Sequence, residues 1–279
     1  MSASCVMSET AQSSAAEQGA RTDTTTAFIE ECAELDALVA DLSEEDWARD
    51  TPAEGWTIAH QIAHLAWTDD VALVTATDPA AFKTVVEEAL ADPFGYVDKQ
   101  SEARAALPPA EILTGWREGR ARLAETLASL DPGTKIDWFG PPMKPRSMAT
   151  ARLMETWAHG QDVADALGVT REPTERLYDI CHLGVRTRDW AYFLNGRDVP
   201  PGEFRVELTS PAGETWTWGP EEAAGDEALG AIRGSAQDFC LVVTQRCDLA
   251  DTGLEANGEA AVWLTFAQAF AGAPKSMQP

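Results

Sequence analysis

The sequence predicts a mainly α protein, an N-terminal four-helix bundle followed by a smaller α+β domain. Four stretches between residues 22 and 170 repeat apolar side chains at spacings of three and four, the mark of helices with one buried stripe. From Glu203 the period falls to two, as in strands with one face inward. Proline and glycine clusters punctuate the chain between these stretches. At 279 residues the chain is long for one core, and the expected division is a disordered leader at 1–21, the bundle at 22–170, a connecting helix at 171–200 and the α+β domain at 201–279.

The elements follow in order. Phe28, Cys32, Leu35, Leu38, Val39 and Leu42 stripe a first helix over Thr22–Leu42. Ser43-Glu-Glu-Asp46 reads as a capping box opening a short turn, and Thr57 as the N-cap of a second helix running to about Thr75. Residues 78–105 are expected to be mostly helical, restarting at Asp78-Pro79 and breaking at Asp92–Gly95. Pro108-Pro109 opens a third bundle helix with Ile112, Leu113, Trp116, Leu123 and Leu127 inward. Ser147 is expected to cap a fourth, Met148–Leu167, closed by Gly168. One further helix is expected over Thr174–Asn195. Then come a hairpin of Glu203–Thr209 with Glu214–Trp218, a strand or short segment over Asp226–Gly230, and helices over Ser235–Arg246 and Ala260–Phe270.

Composition excludes several classes of function. A formal charge of −25 opposes binding to phosphate backbones and anionic lipid, so neither nucleic acid nor membrane is expected as a partner. No apolar run approaches the roughly 20 residues of a membrane helix, and the leader lacks the charged and apolar regions of a signal peptide. The five cysteines form no CxxC pair, which points to reduced thiols and a cytoplasmic location rather than a disulfide framework. Cys240 and Cys247, seven apart, are expected to share one buried helix face.

Two stretches carry the chemistry. Trp56-Thr-Ile-Ala-His60-Gln-Ile-Ala-His64 and Glu155-Thr-Trp-Ala-His159-Gly-Gln-Asp162 hold three of the four histidines. Residues four apart stack on one helix face, so two facing helices would form a cage. His64, Glu155 and His159 supply two imidazoles and one carboxylate, a set that leaves a divalent ion such as zinc an open position for chemistry. His60 has three open placements: a fourth ligand that closes the site, a base beside an open site, or an exposed residue on the next turn. The reading adopted is a catalytic residue of the pocket that does not ligate. Asp162 is either a partner that fixes a ligand imidazole or a solvated helix carboxylate. Arg246, at the end of a predicted helix, by itself reads as a dipole-complementing cation. His182, among apolar neighbours, reads as a packed histidine.

Gly55-Trp-Thr-Ile, Ala63-His64-Leu65, Glu155-Thr-Trp-Ala-His159-Gly-Gln-Asp162, Val243-Thr-Gln-Arg246 and Trp263–Gly272 together resemble the DinB-like metal-binding superfamily, in particular its mycothiol-dependent maleylpyruvate isomerase and mycothiol S-transferase branch. The resemblance spans nearly all of the chain after the leader. It implies a DinB-like bundle binding zinc through His64, Glu155 and His159. It also implies a sterol-carrier-like α+β domain lending an arginine, by position Arg246, to substrate binding. Mycothiol, the cysteine-sugar thiol of actinobacteria, is the implied cosubstrate. His60 departs from the pattern of that branch.

The function expected is a zinc-dependent, mycothiol-using S-transferase or isomerase acting on a small electrophilic metabolite, as a monomer or homodimer. The alternatives are a metal-containing binding protein for a small apolar ligand and a metal-dependent hydrolase. Cysteine is absent from both site stretches, in accord with a thiol brought by a cosubstrate.

Overall fold

The computed structural model describes residues 22–220 and 228–270. The leader expected at 1–21 lies outside the described residues, as do Asp226, Glu227 and everything beyond Phe270. Helix α1 (Thr24–Val39) starts where the Asp23 carboxylate accepts from the Thr25 and Thr26 N–H groups, and it buries Phe28, Cys32, Leu35 and Val39. The single turn α2 (Glu44–Trp47) is closed by the Ser43/Asp46 capping box. Helix α3 (Ile58–Thr77) follows Thr57. Helices α4 (Pro79–Ala91) and α5 (Tyr96–Ala105) fill the stretch expected to be mostly helical, and α6 (Pro109–Ser129) begins with proline at its first position.

Helix α7 (Pro145–Leu167) begins two residues before the expected Ser147 cap, because Pro145 supplies a ready helical φ and needs no N–H partner there. Gly168 ends it at φ 68°, a conformation glycine adopts without a Cβ penalty. Helices α1, α3, α6 and α7 pack as the bundle, while α4 and α5 lie against α3.

The single helix expected over Thr174–Asn195 is two, α8 (Leu177–Arg186) and α9 (Arg188–Leu194). They part at Thr187, whose hydroxyl donates back to the Leu183 and Gly184 carbonyls at 3.0 and 3.1 Å. Strands β1 (Glu203–Thr209) and β2 (Thr215–Trp218) form the antiparallel hairpin, with Val206 opposite Trp218. The segment expected at Asp226–Gly230 is a longer strand, β3 (Ala228–Ser235), parallel to β1.

Two glycines hide that strand from its sequence. At Gly230, φ is 116°, and a Cβ would fall 2.2 Å from the Asn257 carbonyl oxygen; at Gly234, φ is 148°, and it would fall 2.7 Å from Leu254 Cδ2. A short β4 (Glu255–Ala256), not foreseen, completes the sheet in the order β2-β1-β3-β4.

Helix α10 (Ala236–Val243) stops before the expected Arg246, since Gln245 takes φ 60° and turns the chain. Cys247 therefore leaves the helix and does not share the buried face of Cys240, whose sulfur lies 3.5 Å from that of Cys181. Helix α11 (Gly258–Leu264) also ends early, because the following segment bonds to the end of α10 instead: Ala269 N–H to the Val243 carbonyl at 2.9 Å, and the Gln245 side chain to the Ala267 carbonyl at 3.1 Å.

The main apolar core is continuous from Phe28, Leu35 and Trp116 in the bundle to Phe239, Val243 and Trp263 beyond residue 200. A smaller cluster of Trp67, Val71, Phe82 and Tyr96 seats α4 and α5. His182 is exposed rather than packed in the core, accepting from the Trp218 indole N–H at 3.2 Å, because it lies on the outer side of α8. No helix among the described residues is long and apolar enough to cross a membrane.

Two polar contacts pin the helices. Arg152 of α7 donates to Asp69 of α3 at 2.8 Å and to Thr68 Oγ1 at 2.7 Å, with both charged groups out of contact with water. Arg171 and Arg176, leading into α8, both bind Glu31, a wholly buried residue of α1. Removing one member of such a pair strands the other charge. Arg152→Met is expected to cost about 3–5 kcal/mol, read as a lower urea midpoint, and adding Asp69→Leu is expected to recover much of that loss.

Candidate metal centre

His64 lies two turns into α3, and Glu155 and His159 lie one turn apart in the middle of α7, where the two helices pack together. One ligand atom from each lies within 4.8 Å of the others. The closest Glu155 oxygen, Oε2, is 3.6 Å from His64 Nε2 and 3.3 Å from His159 Nε2.

The far side of each ring sets its tautomer. His159 Nδ1 is 2.5 Å from Gln61 Oε1, and an amide oxygen only accepts, so Nδ1 carries the proton. His64 Nδ1 is 3.4 Å from Ser101 Oγ, whose hydrogen is already given to the Val97 carbonyl at 3.0 Å, so the serine oxygen accepts as well. Both Nε2 lone pairs are thereby aimed at the Glu155 carboxylate. Burial, then the neighbouring His64, pushes His159 down to about 3, which keeps the ring neutral at pH 7. Two lone pairs and a carboxylate that face one another with no proton to share form a donor set that fits a divalent cation.

The remaining expected residues take distinct places. His60 is not brought into the triad. Its Nδ1 accepts from the Thr57 N–H at 3.2 Å and meets Thr57 Oγ1 at 2.8 Å, while Nε2 lies 2.6 Å from Glu102 Oε2. It completes the cap of α3 and pairs with α5. Asp162 stands 3.8 Å from His159 Nδ1, farther than Gln61, and grips Arg246 instead at 2.8 and 3.3 Å. Arg246 does reach the bundle, carried there by the turn at Gln245, and also donates to the Thr244 carbonyl at 2.7 Å.

Three residues escaped sequence reasoning. Gln61 has a legible position, one turn before His64 on the same helix face, but nothing in the pattern says that it serves His159. Ser101 sits on α5 with no motif around it. Trp56 places its ring 5.3 Å from that of His64, 6.0 Å from His159 and 6.2 Å from His60, so one indole touches all three histidines of the region. It also lines a groove of about 360 Å³ with Glu54, Gly55, His60, Asp98, Lys99 and Glu102.

A helical bundle with a two-histidine, one-carboxylate site between its helices and a small sheet beyond is the class that this geometry defines. Residues 28–164 match the family described as the mycothiol maleylpyruvate isomerase N-terminal domain, and the chain belongs to that family, within the DinB-like superfamily. An uncharacterized protein of Mycobacterium tuberculosis strain CDC 1551 / Oshkosh is 56% identical over 242 residues, covering 86% of this chain and 92% of its own. The same identity and coverage hold for an uncharacterized protein of strain H37Rv. Among solved structures, the crystal structure of the mycothiol-dependent maleylpyruvate isomerase superposes with a TM-score of 0.56 at 14% identity, over 84% of this chain and 91% of that one. A histidine-to-alanine mutant of that isomerase superposes at 0.57 with the same coverage. At that identity the likeness is one of fold.

Gln61→Leu removes the acceptor of the His159 Nδ1 proton and leaves the imidazole free to turn. Affinity for zinc, measured by competition with a chromogenic chelator, is expected to fall about 10–100-fold, with the far-UV spectrum unchanged.

Proposed function

We propose that the chain is a zinc-dependent, mycothiol-using isomerase or S-transferase acting on a small electrophilic metabolite. The observation that carries this reading is the convergence of both Nε2 lone pairs on Glu155, a donor set of three protein ligands among the described residues. A cation held there supplies Lewis acidity, lowering the pKa of a thiol that reaches it so that the thiolate is the stable form at neutral pH. His64, Glu155 and His159 hold the ion; Gln61 and Ser101 keep the imidazoles turned toward it.

The protein's other groups complete the chemistry. His60, with Nε2 held by Glu102, takes at Nδ1, in place of the Thr57 N–H, the proton that the thiol releases and passes it to water. Arg246, held by Asp162 beside His159, presents its remaining N–H groups to an anionic electrophile. In an isomerase the thiolate adds to an activated double bond, the bond rotates and the thiolate leaves; in a transferase it stays on the product and displaces another group. The described cysteines are free thiols, in keeping with a reducing cytoplasm. None of the described cysteines belongs to the triad, in keeping with a nucleophile that comes from the cosubstrate.

The test is metal analysis of the purified protein together with calorimetric titration of mycothiol. The wild type is expected to hold about one zinc per chain, the stoichiometry of one three-ligand site, and to bind the thiol, while His64→Ala loses both. His60→Ala is expected to keep the metal and lose roughly 10²–10⁴-fold in turnover. Metal without thiol binding overturns the thiol reading in favour of a hydrolase or a binding protein, and loss of metal from His60→Ala overturns the three-ligand assignment.

A further inference from the structure

The groove beside the triad has a chemistry that selects its occupant. It shares Trp56 with the metal centre: that ring lines the groove and stands 5.3 Å from the ring of His64 and 6.0 Å from that of His159. Its volume, about 360 Å³, is that of a small-molecule site. Trp56 is its one large apolar side chain; the other lining groups are Glu54, Asp98, Glu102, Lys99 and His60.

Charge decides what enters. Three carboxylates face one ammonium, and that ammonium is already 2.6 Å from Asp92. An anionic metabolite is repelled. An apolar one finds a single aromatic wall. Glu102 is occupied by His60, whereas Glu54 and Asp98 have no ion-pair or side-chain hydrogen-bond partner among the described residues. Free carboxylates with their lone pairs unspent accept from hydroxyl groups, and an indole face receives the C–H face of a saturated ring.

We propose that this groove is the subsite for the polyhydroxylated part of the thiol cosubstrate, its sugar rings lying on Trp56 with hydroxyls donating to Glu54 and Asp98. The inference rests on the mycothiol reading above and adds the place and the recognition chemistry. It also assigns separate approaches to the two reactants: the neutral polyol thiol along the acidic groove, and an anionic electrophile from the Arg246 side of His159.

The experiment compares mycothiol with N-acetylcysteine amide, a neutral thiol without the sugar, by calorimetry on the zinc-loaded wild type and on the double variant Glu54→Gln/Asp98→Ala. Both positions are exposed and lie outside the metal set, and zinc content and far-UV spectrum are measured alongside. The wild type is expected to prefer mycothiol by about tenfold or more, the scale of one or two charge-assisted hydrogen bonds. In the variant that preference collapses while N-acetylcysteine amide affinity stays unchanged. Equal affinity of the wild type for the two thiols, or a preference that survives in the variant, overturns the subsite and leaves thiol use intact. Binding of neither thiol by the zinc-loaded wild type overturns the mycothiol reading and the subsite with it.

Discussion

The structure depends on holding three electron-rich groups against one another inside a helical bundle. His64, Glu155 and His159 point lone pairs and a negative charge at a common point, an arrangement that repels itself unless a cation is present. The rest of α3 and α7 compensates. Asp69 and Arg152 clamp the same two helices by a buried ion pair, and the apolar stripe of Ile62, Leu65, Leu153 and Ala158 packs around them. A site that would spread if left to its own electrostatics is kept closed by packing and by a second pair of opposite sign. The donor atoms are thus arranged before any ion arrives, and little conformational freedom remains to be lost on binding.

Much of this was legible from residue spacing. Four-residue intervals on two amphipathic stretches put His64 with Glu155 and His159, because helix geometry makes the interval a statement about space. The hairpin was legible for the same reason, with a period of two. Features set by distant backbone were not. Strand β3 is masked by Gly230 and Gly234, whose presence answers to the close approach of Asn257 and Leu254 rather than to strand propensity. The break at Thr187 depends on a hydroxyl choosing a local carbonyl. Asp162 illustrates the limit at the site itself: spacing placed it near His159 correctly, but could not foretell that Gln61 would be nearer and that Arg246 would claim the carboxylate.

His60 belongs to a different layer of the molecule from the histidine one turn later. Its nitrogens serve the start of α3 and the surface of α5, so it fixes the mouth of the site while His64 forms its floor. The four-residue interval that suggested a ligand pair is real, yet Trp56 lies beside both rings and gives each a different neighbour on its other side. Periodicity locates residues on a face; which partner each one finds there is decided by the loop packed above.

That loop is tied to the metal centre through a short chain of hydrogen bonds. Thr51 Oγ1 donates to the Trp56 carbonyl at 2.8 Å and accepts from Gln61 Nε2 at 2.8 Å, while the other end of the same amide orients His159. A single side-chain amide is therefore tied through Thr51 to the Trp56 backbone on one side and fixes an imidazole on the other. Thr51, Gln61 and His159 form one unit: a change at the loop that turns the amide over presents N–H to N–H at His159.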